Sequence, residues 1–460
     1  MDLKNINNVF FVGVGGIGMS ALARYFKFLG KNVAGYDRTR TELTDALVAE
    51  GIPVSHCPDS ECITREFRKP EHTLVVYTPA VPLSTPVMEW FKERNYKILK
   101  RAEVLGLLTR EQKGICVAGT HGKTTVSTMI SHLLKNSSVD CNAFLGGISL
   151  NYSTNLLVSE KSDYVVIEAD EYDRSFHQLR PEVAVITSVD PDHLEIYGTY
   201  ENVKEGFCKF ASLVKKGGIL LMKKGLPLNP DLRPGVRQFS YNISGPADFY
   251  AEKIRIEKGQ YVFDLVTPDR NITELTLGVP GRVNLENAVV SLSVACLLGC
   301  SDAELKNGIH TFRGNKRRFE YHYKSDRRCY IDDYAHHPNE IKATLESIRE
   351  LYPSTRLTGI FQPHLYSRTK DFAAEFAQSL SLLDELILLD IYPAREEPVP
   401  GVTSELIFSQ VKADRKILVS KENLVKEIEE SKPELLVSMG AGDIGEMVSE
   451  IKNVMKRLDA

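Results

Sequence analysis

The stretch Ala118-Gly119-Thr120-His121-Gly122-Lys123-Thr124-Thr125 decides how the rest of this chain is interpreted. It follows an apolar, strand-like run at 114–117 and leads into a helix-like run at 126–134. The two glycines let the backbone turn tightly and present N–H groups to an anion at the positive end of the new helix. The succession of strand, glycine turn and helix predicts a phosphate-binding loop.

The side chains after the second glycine suit a nucleoside triphosphate. Lys123 supplies a mobile positive charge for the terminal phosphates, and Thr124 offers a hydroxyl to the accompanying Mg²⁺. The spacing differs from G-x-x-x-x-G-K-[ST], because Val117 stands where that pattern has its first glycine. An ordinary strand-to-helix turn is the alternative interpretation, and the flanking strand and helix favour the phosphate loop.

Length and composition indicate a globular protein of several domains. The 460 residues suffice for about three domains of ordinary size. The net charge of −4, with both signs interspersed, leads us to expect no nucleic-acid partner. The absence of a long apolar run or a secretion leader predicts a cytoplasmic protein without membrane insertion. The eight cysteines lack C-x-x-C spacing, which argues against a disulfide framework or a zinc site.

A second glycine turn, Gly13-Val14-Gly15-Gly16-Ile17-Gly18, lies near the start of the chain. A strand-like run at 8–14 leads into it, and a helix-like run at 19–29 and a strand-like run at 32–36 follow, ending in Asp37. This order places a diphosphate on the helix N-terminus and a ribose hydroxyl on the acid. The pattern fits either a dinucleotide or a nucleotide diphosphate. The candidate ligands are Gly15, Gly16, Ile17, Gly18 and Asp37.

Arg101 and Glu103 follow another strand-like run. A surface ion pair is the more common role for such a pair, and a ligand contact is the alternative. The polar segment 109–113 then predicts a domain boundary. Beyond it, the alternating pattern from about 238 to 280 predicts an antiparallel appendage. The basic residues Lys316, Arg317 and Arg318 fit either a charged surface linker or a segment that closes on nucleotide.

Two acidic segments follow predicted strands in the middle of the chain. One is Glu168-Ala169-Asp170-Glu171-Tyr172-Asp173, and the other is Asp190-Pro191-Asp192-His193. The carboxyl ends of parallel strands share one edge of a sheet, where the phosphate loop also lies. We therefore expect Thr124, one carboxylate of 168–173 and His193 to meet around Mg²⁺. Mg²⁺ prefers oxygen ligands, so a capping role for His193 is the alternative.

These segments, together with Asp332-Asp333-Tyr334-Ala335-His336-His337-Pro338 and Gln362-Pro363-His364-Leu365-Tyr366-Ser367-Arg368, resemble the Mur ligases of bacterial cell-wall synthesis. The resemblance runs in order from residue 9 to about 445. It implies an α/β chain of three domains. These are a Rossmann-like domain for a UDP-sugar (1–108), a central P-loop-type ATPase domain with the antiparallel appendage (109–315), and a C-terminal Rossmann-like domain for an amino acid (316–460).

The reaction implied by the resemblance is ATP-dependent amide bond formation between UDP-N-acetylmuramate and L-alanine. The substrate carboxylate attacks the γ-phosphate of ATP, and the resulting acyl phosphate reacts with the amine of alanine. The implied products are UDP-N-acetylmuramoyl-L-alanine, ADP and phosphate, with ATP and Mg²⁺ as cofactors. The expected oligomeric state is a monomer or a homodimer.

The resemblance also implies roles for individual residues. Thr124, Glu168 and His193 would be Mg²⁺ ligands, and Tyr334, His336 and Arg368 would face the amino acid. His336 is the favoured proton acceptor for its amine. The implied catalytic residues are Lys123, Glu168, His193, His336 and Arg368. The implied ATP-binding residues are Gly119, Thr120, His121, Gly122, Lys123, Thr124, Thr125, Asn284 and Asn287.

This sequence departs from the family pattern at two positions. Val283 replaces a histidine next to the nucleotide, and Leu365 replaces an arginine, which leaves the choice of alanine over glycine or serine open. Related ligases use a carbamylated lysine to help hold the metal ion, and Lys209 lies at about the matching distance after His193. The resemblance does not settle which lysine has that role here. The alternatives are a ligase that attaches a whole tripeptide, a nicotinamide-dependent oxidoreductase built on the first hundred residues, and a non-catalytic UDP-sugar sensor.

Overall fold

The protein is described from a computed structural model, which covers residues 6–257, 260–394 and 396–460. The chain divides into two compact units. The first unit runs to Arg255 and also contains Val262–Gly278 and Asn287–Arg313, whereas the second contains Ile256–Tyr261, Val279–Glu286 and Gly314–Ala460. Among the described residues, no helix has the length and apolar character needed to cross a bilayer.

A five-stranded parallel sheet opens the first unit, in the order β3-β2-β1-β4-β5. The central strand β1 is buried on both faces, as its continuous apolar sequence predicts. The glycine turn connects β1 directly to α1. The elements are β1 (Asn8–Val12), α1 (Ile17–Phe28), β2 (Asn32–Tyr36), α2 (Glu42–Ala49), β3 (Val54–Ser55), β4 (Thr73–Tyr77), α3 (Pro86–Glu93), β5 (Lys97–Lys100) and α4 (Arg101–Glu111).

The second sheet has ten strands within the described residues, in the order β15-β14-β13-β12-β11-β10-β6-β9-β7-β8. Its parallel centre is β10, β6 and β9, whose carboxyl ends carry the phosphate loop and both acidic segments. The elements are β6 (Lys113–Ala118), α5 (Lys123–Lys135), β7 (Asn142–Phe144), β8 (Leu156–Leu157), β9 (Tyr164–Glu168), β10 (Pro181–Ile186), α6 (Leu194–Tyr197), α7 (Tyr200–Ser212), β11 (Ile219–Lys223), β12 (Arg237–Ser244), β13 (Phe249–Glu257), β14 (Gln260–Val266), β15 (Asn271–Thr276), α8 (Arg282–Leu297) and α9 (Asp302–Thr311).

The predicted antiparallel appendage is confirmed for β14 and β15 and corrected for β12 and β13. Strand β12 pairs in parallel with β11, and β13 pairs in parallel with β12, so these strands extend the main sheet. The backbone N–H and the hydroxyl of Ser240 both donate to Asp248 Oδ2, at 2.7 Å, across the connection. Alternation of polar and apolar residues indicates that one face of a strand is buried. It does not indicate whether the strand runs parallel or antiparallel to its neighbour.

The third sheet belongs to the second unit and has the order β16-β17-β21-β18-β19-β20. Within the described part of this sheet, β16 and β17 pair antiparallel and the other pairs are parallel. Successive residues of one strand enter different apolar clusters, as Tyr330 and Ile331 do. The elements are β16 (Glu320–Lys324), β17 (Cys329–Asp333), α10 (Pro338–Leu351), β18 (Leu357–Phe361), α11 (Tyr366–Asp371), α12 (Ala373–Leu380), β19 (Glu385–Leu388), α13 (Glu405–Phe408), β20 (Arg415–Leu418), α14 (Leu424–Ser431), β21 (Leu435–Met439) and α15 (Val448–Asp459).

Candidate active site

The phosphate loop joins β6 to α5 through two glycines with positive φ. Gly119 has φ 143° and Gly122 has φ 84°. A Cβ on Gly119 would lie 2.0 Å from the Thr187 hydroxyl, so only glycine fits there. The Thr187 hydroxyl donates to the His121 carbonyl at 2.5 Å, and the His121 N–H donates to the Ser188 hydroxyl at 2.8 Å. The residues that follow β10 therefore hold the loop in shape.

Other predicted ATP-binding residues lie on or beside this loop. His121 Nε2 is 3.0 Å from Asp190 Oδ2, and the Thr120 hydroxyl accepts the Asp190 N–H at 3.0 Å. Thr125 is buried in the first turn of α5. Asn287 Oδ1 lies 3.1 Å from where a Cβ on Gly122 would be. In the second unit, Asn284 donates to the Pro280 carbonyl at 2.7 Å, and neighbouring Val283 is exposed.

Lys123 begins α5 and is held by two acceptors. Its Nζ donates to the Gly119 carbonyl at 2.6 Å and to Glu171 Oε1 at 2.8 Å. Burial lowers the pKa of Lys123, but the nearby carboxylates, Glu171 foremost, outweigh burial and raise it. Burial raises the pKa of Glu171. Glu171 was not singled out from the sequence, although the acidic run at 168–173 was the signal for it.

Thr124 and Glu168 meet as predicted. The Thr124 hydroxyl donates to Glu168 Oε2 at 2.9 Å. A Cβ on Gly146 would lie 1.8 Å from the same oxygen, so a glycine leaves room for the carboxylate. Within the described ranges, no three His, Cys, Asp or Glu side chains converge as a metal-binding group. A hydroxyl and a carboxylate nevertheless fit Mg²⁺, because this ion prefers oxygen and keeps several of its waters.

His193 lies beside Glu171, which is not part of the predicted ligand set of Thr124, Glu168 and His193. Its Nε2 is 4.0 Å from Glu171 Oε1 and 3.8 Å from Asp192 Oδ2, and its ring packs edge-on against Tyr172. His193 also has φ 54° and stands at the N-terminus of α6, so it combines a capping position with proximity to the acidic cluster. Lys209 is exposed on α7. Burial lowers the pKa of His177, and the charge of Lys209 adds a smaller effect in the same direction. A metal-supporting role for Lys209 stays a prediction.

The first glycine turn is closed by Asp37. Gly13 has φ 86°, and the Gly15 N–H donates to Asp37 Oδ2 at 2.8 Å. Gly16 precedes the first residue of α1, which is Ile17. Asp37 therefore stabilises the turn itself, and its contact with a ribose stays a prediction.

Asn155 connects this turn to the ten-stranded sheet. The residue is completely buried, and its Nδ2 donates to the Ile17 carbonyl at 2.6 Å and to the Ser20 hydroxyl at 2.9 Å. Its Oδ1 accepts from Arg24 at 2.5 Å. The Asn155 carbonyl accepts the N–H of Leu145, the residue before Gly146. One buried amide thus links the glycine turn to the backbone beside Glu168.

Arg101 and Glu103 do not pair with each other, so the predicted surface ion pair is wrong. Glu103 accepts the Lys100 N–H at 2.7 Å and caps α4. Arg101 Nη2 instead donates to Asp170 Oδ2 at 3.2 Å. The two residues point differently because the first turn of a helix separates their side chains. A cavity of about 150 Å³ lies beside Arg101 and is lined by Gly18 and Glu168, among others.

The predicted amino-acid residues lie at the carboxyl edge of the third sheet. His336 Nδ1 is 3.0 Å from the Tyr334 carbonyl and 3.3 Å from Glu340 Oε2. Burial lowers the pKa of His336 to about 4, against the opposing effect of Glu340. The imidazole is therefore neutral at pH 7. Arg368 Nη1 lies 3.5 Å from His364 Nδ1, and the rings of His364 and His336 are 6.0 Å apart.

The basic stretch before β16 lies at this edge. Lys316 is exposed, as a surface linker predicts, whereas Arg317 is paired within the protein, and a role in closing on nucleotide stays a prediction. Arg317 Nε donates to the buried carboxylate of Asp332 at 2.9 Å, and its Nη2 donates to the Gly440 carbonyl at 2.7 Å. The guanidinium of Arg318 lies 5.0 Å from the ring centre of Tyr334. Leu365 has φ 72° and precedes α11. Arg317 therefore pairs with an aspartate of β17, and Arg318 packs on the ring that follows this strand.

The fold and these sites define a class of protein. Residues 8–113 match the catalytic domain of the Mur ligase family, residues 117–295 the Mur ligase middle domain, and residues 317–442 the Mur ligase glutamate ligase domain. The chain belongs to the Mur ligase family. Its three α/β domains are those of that family, and the oxidoreductase interpretation is set aside.

Several proteins similar to this chain along most of its length have a named activity or a solved structure. The UDP-N-acetylmuramate–L-alanine ligase of Parabacteroides distasonis is 52% identical, over 99% of this chain and 98% of that protein. The crystal structure of the UDP-N-acetylmuramate–alanine ligase of Thermotoga maritima is 26% identical with a TM-score of 0.80, over 98% of this chain and all of that one. The ligase MurF of Thermotoga maritima, determined with ADP, shares the fold at 18% identity and a TM-score of 0.60, over 84% of this chain and 95% of that one.

Proposed function

We propose that this chain joins UDP-N-acetylmuramate to L-alanine at the expense of ATP, in peptidoglycan biosynthesis. The observation that carries the proposal is the assembly of Lys123, Thr124 and Glu168 around one phosphate loop, in a chain half identical over its length to a ligase of that name. The reaction proceeds through an acyl phosphate. A carboxylate is a poor acceptor for an amine, and phosphorylation gives it a leaving group.

ATP binds with its phosphates on the loop at 119–125. The N–H groups at the start of α5 and the Lys123 ammonium neutralise the β- and γ-phosphates as two anions approach each other. Thr124 and Glu168 would hold Mg²⁺, and His193 would complete the site through a water or through Glu171. The bound ion supplies charge neutralisation at the transferring phosphoryl group.

The UDP-sugar binds at the first glycine turn. The turn presents backbone N–H groups at the N-terminus of α1, which favours a diphosphate. Asp37 already stabilises the turn through Gly15, and its second carboxylate oxygen accepts the Thr39 N–H at 3.0 Å. Any ribose contact would therefore add to bonds that Asp37 makes within the protein.

L-Alanine binds at the carboxyl edge of the third sheet, beside Tyr334, His336 and Arg368. Arg368 supplies the positive charge for the amino-acid carboxylate. The amine nitrogen forms the new bond to the acyl carbon as the bond from that carbon to the phosphate oxygen breaks, and the departing phosphate takes up the proton that the nitrogen loses. Burial lowers the pKa of His336 to about 4, so its imidazole is neutral and accepts a hydrogen bond from the amine. We therefore assign His336 to orienting the amine and not to taking up its proton.

Phosphate release from Mg-ATP and UDP-N-acetylmuramate tests the proposal, with L-alanine, glycine, L-serine or a tripeptide as the acceptor. Greatest stimulation by L-alanine is the expected result. Greatest stimulation by the tripeptide would move the chain to the rival ligase, and no stimulation by any acceptor would favour a sensor. Lys123→Ala should abolish turnover and leave UDP-sugar binding nearly unchanged, since that ligand binds on the other glycine turn.

A cytoplasmic location and a monomeric or homodimeric state complete the proposal. UDP-linked precursors and ATP are both cytoplasmic metabolites, which supports the location. Cell fractionation tests the first statement, and light scattering at micromolar concentration tests the second.

A further inference from the structure

Arg101 occupies an unusual position over the first glycine turn. Its Nη1 lies 2.0 Å from where a Cβ on Gly18 would be, so the guanidinium covers the first turn of α1 and would have to shift to accommodate any side chain there. Arg101 itself is the first residue of α4 and follows strand β5. Two different strand ends of the same sheet thus bring a glycine backbone and a cation together.

Most of the donor groups of this guanidinium are not used by the protein. In the described part of the chain, Arg101 makes one hydrogen bond, from Nη2 to Asp170 Oδ2 at 3.2 Å. Its side chain is 27% exposed and that of Asp170 is 37% exposed, so this single contact is weak. A guanidinium presents a planar fork of N–H donors suited to two oxygens at once. The remaining donors face the cavity lined by Gly18 and Glu168.

We propose that Arg101 binds the diphosphate of the UDP-sugar and exchanges Asp170 for it when the substrate enters. This inference rests on the proposed function. The Asp170 carboxylate now accepts a hydrogen bond from the guanidinium. In the complex with substrate, a phosphate oxygen would accept that bond instead. The diphosphate of a UDP-sugar offers Arg101 several oxygens and two negative charges, whereas the partly exposed Asp170 carboxylate offers one charge.

The position of Arg101 favours the diphosphate over the carboxylate of the same substrate. Nη1 lies over Gly18, in the turn whose N–H groups and helix terminus attract a diphosphate. The carboxylate must instead reach the γ-phosphate near Thr124 and Glu168, and neutralisation by an arginine would weaken it as a nucleophile. Asp170 and Glu168 line the same cavity, so a Mg²⁺ ion held at Glu168 would offset the negative charge of an Asp170 carboxylate that has lost its arginine.

Calorimetric titration of three ligands tests the assignment. UDP carries the diphosphate alone, UDP-N-acetylglucosamine adds a sugar without the carboxylate, and UDP-N-acetylmuramate carries both. Arg101→Ala should weaken all three by about 10-fold, the value of a charge-assisted hydrogen bond. Arg101→Lys should recover part of the loss, because it keeps the charge and loses the fork.

Two matched variants separate binding from packing. Arg110→Ala removes an equal charge from the exposed last turn of the same helix. This variant should change the affinity for UDP by less than about two-fold, because solvent and salt screen a charge at that distance. Asp170→Asn removes the competing carboxylate, so UDP should bind equally or more tightly. A purely structural ion pair would instead make Arg101→Ala and Asp170→Asn lose thermal stability together, with UDP affinity unchanged.

The outcomes distinguish this inference from the proposed function. A loss confined to UDP-N-acetylmuramate would overturn the diphosphate assignment and move Arg101 to the carboxylate. Wild-type affinity of Arg101→Ala for all three ligands would overturn the inference alone. Failure of the wild-type protein to bind any of them would overturn both the inference and the proposed UDP-sugar site.

Discussion

Lys123 Nζ lies 2.8 Å from Glu171 Oε1, and the glutamate side chain is only 3% exposed. The second carboxylate oxygen, Oε2, is buried without a hydrogen-bond partner among the described residues. The lysine that would bind the terminal phosphates of ATP is thus already paired with a carboxylate. Nucleotide phosphates and Glu171 compete for the same ammonium group.

Glu171→Gln tests this competition. Removing one partner of a buried ion pair costs about 3 kcal/mol or more, so the variant should melt at a lower temperature without nucleotide. ADP returns an anionic partner to Lys123, so the rise in melting temperature on adding ADP should be larger for the variant than for the wild type. Differential scanning fluorimetry with and without ADP measures both values. Equal ADP shifts in the two proteins would contradict the competition.

Thr124→Val should raise the Mg²⁺ requirement. The substitution keeps the shape of the side chain and removes the hydroxyl that donates to Glu168 at 2.9 Å. We expect the Mg²⁺ concentration for half-maximal turnover to rise by about 10-fold or more. Thr128→Val is the control, since the Thr128 hydroxyl is buried in the same helix and donates to the Thr124 carbonyl at 2.8 Å, away from Glu168. A similar Mg²⁺ response in both variants would remove Thr124 from the site.

Gly146→Ala should displace Glu168. The new Cβ would start 1.8 Å from Glu168 Oε2, and the carboxylate would have to swing away from Thr124. Displacement of a catalytic group by about 1 Å can cost about 100-fold in turnover, so we expect a loss of that order. Steady-state kinetics measures it, and a thermal melt checks that the variant is folded. A turnover that stays within about three-fold of the wild-type value would show that the enzyme tolerates the displacement of Glu168.

His132 should make the first unit sensitive to acid. It is buried in α5 and hydrogen-bonded to the Tyr152 and Thr311 hydroxyls, each at 3.0 Å, and burial lowers its pKa to about 4. The unfolded state takes up a proton below the ordinary histidine pKa of about 6.5, whereas the folded state does so only near 4. Stability present above pH 6.5 is therefore lost as the pH falls toward 4, by about 3 kcal/mol.

Urea unfolding at pH 7.5 and at pH 4.5 measures this effect for the wild type and for His132→Gln. The variant should lose less stability between the two conditions, although it starts from a lower value because its two hydrogen bonds are altered. An equal loss in both proteins would assign the acid sensitivity to other groups, such as His336.

The strands and the phosphate loop could be predicted from the sequence because their signals are local. The run at 32–36 coincides with β2, and the runs at 114–117 and 126–134 lie within β6 and α5. In each case the decisive residues lie within a few positions of one another. Thr124 and Glu168 could be paired because parallel strands end at a common edge.

The missed contacts join residues that are far apart in the sequence. Lys123 reaches Glu171 ahead of the other acids of the same run, and Arg101 reaches Asp170 in place of nearby Glu103. Which carboxylate of a cluster faces a cation depends on how the chain leaves the strand. Here the acidic run leads directly into a turn that contains Asp173 and Arg174, both with positive φ. Composition does not carry this information.

The buried amide of Asn155 determines how this enzyme can be cut into pieces. A fragment that ends near residue 108 would lose the donor to the Ile17 carbonyl, and it would uncover Tyr25, whose ring packs against Phe144 at 5.1 Å. Such a fragment should express poorly or aggregate. Division after Arg313 instead keeps both glycine turns in one polypeptide, and that larger piece is the one to use for ligand screening by nuclear magnetic resonance.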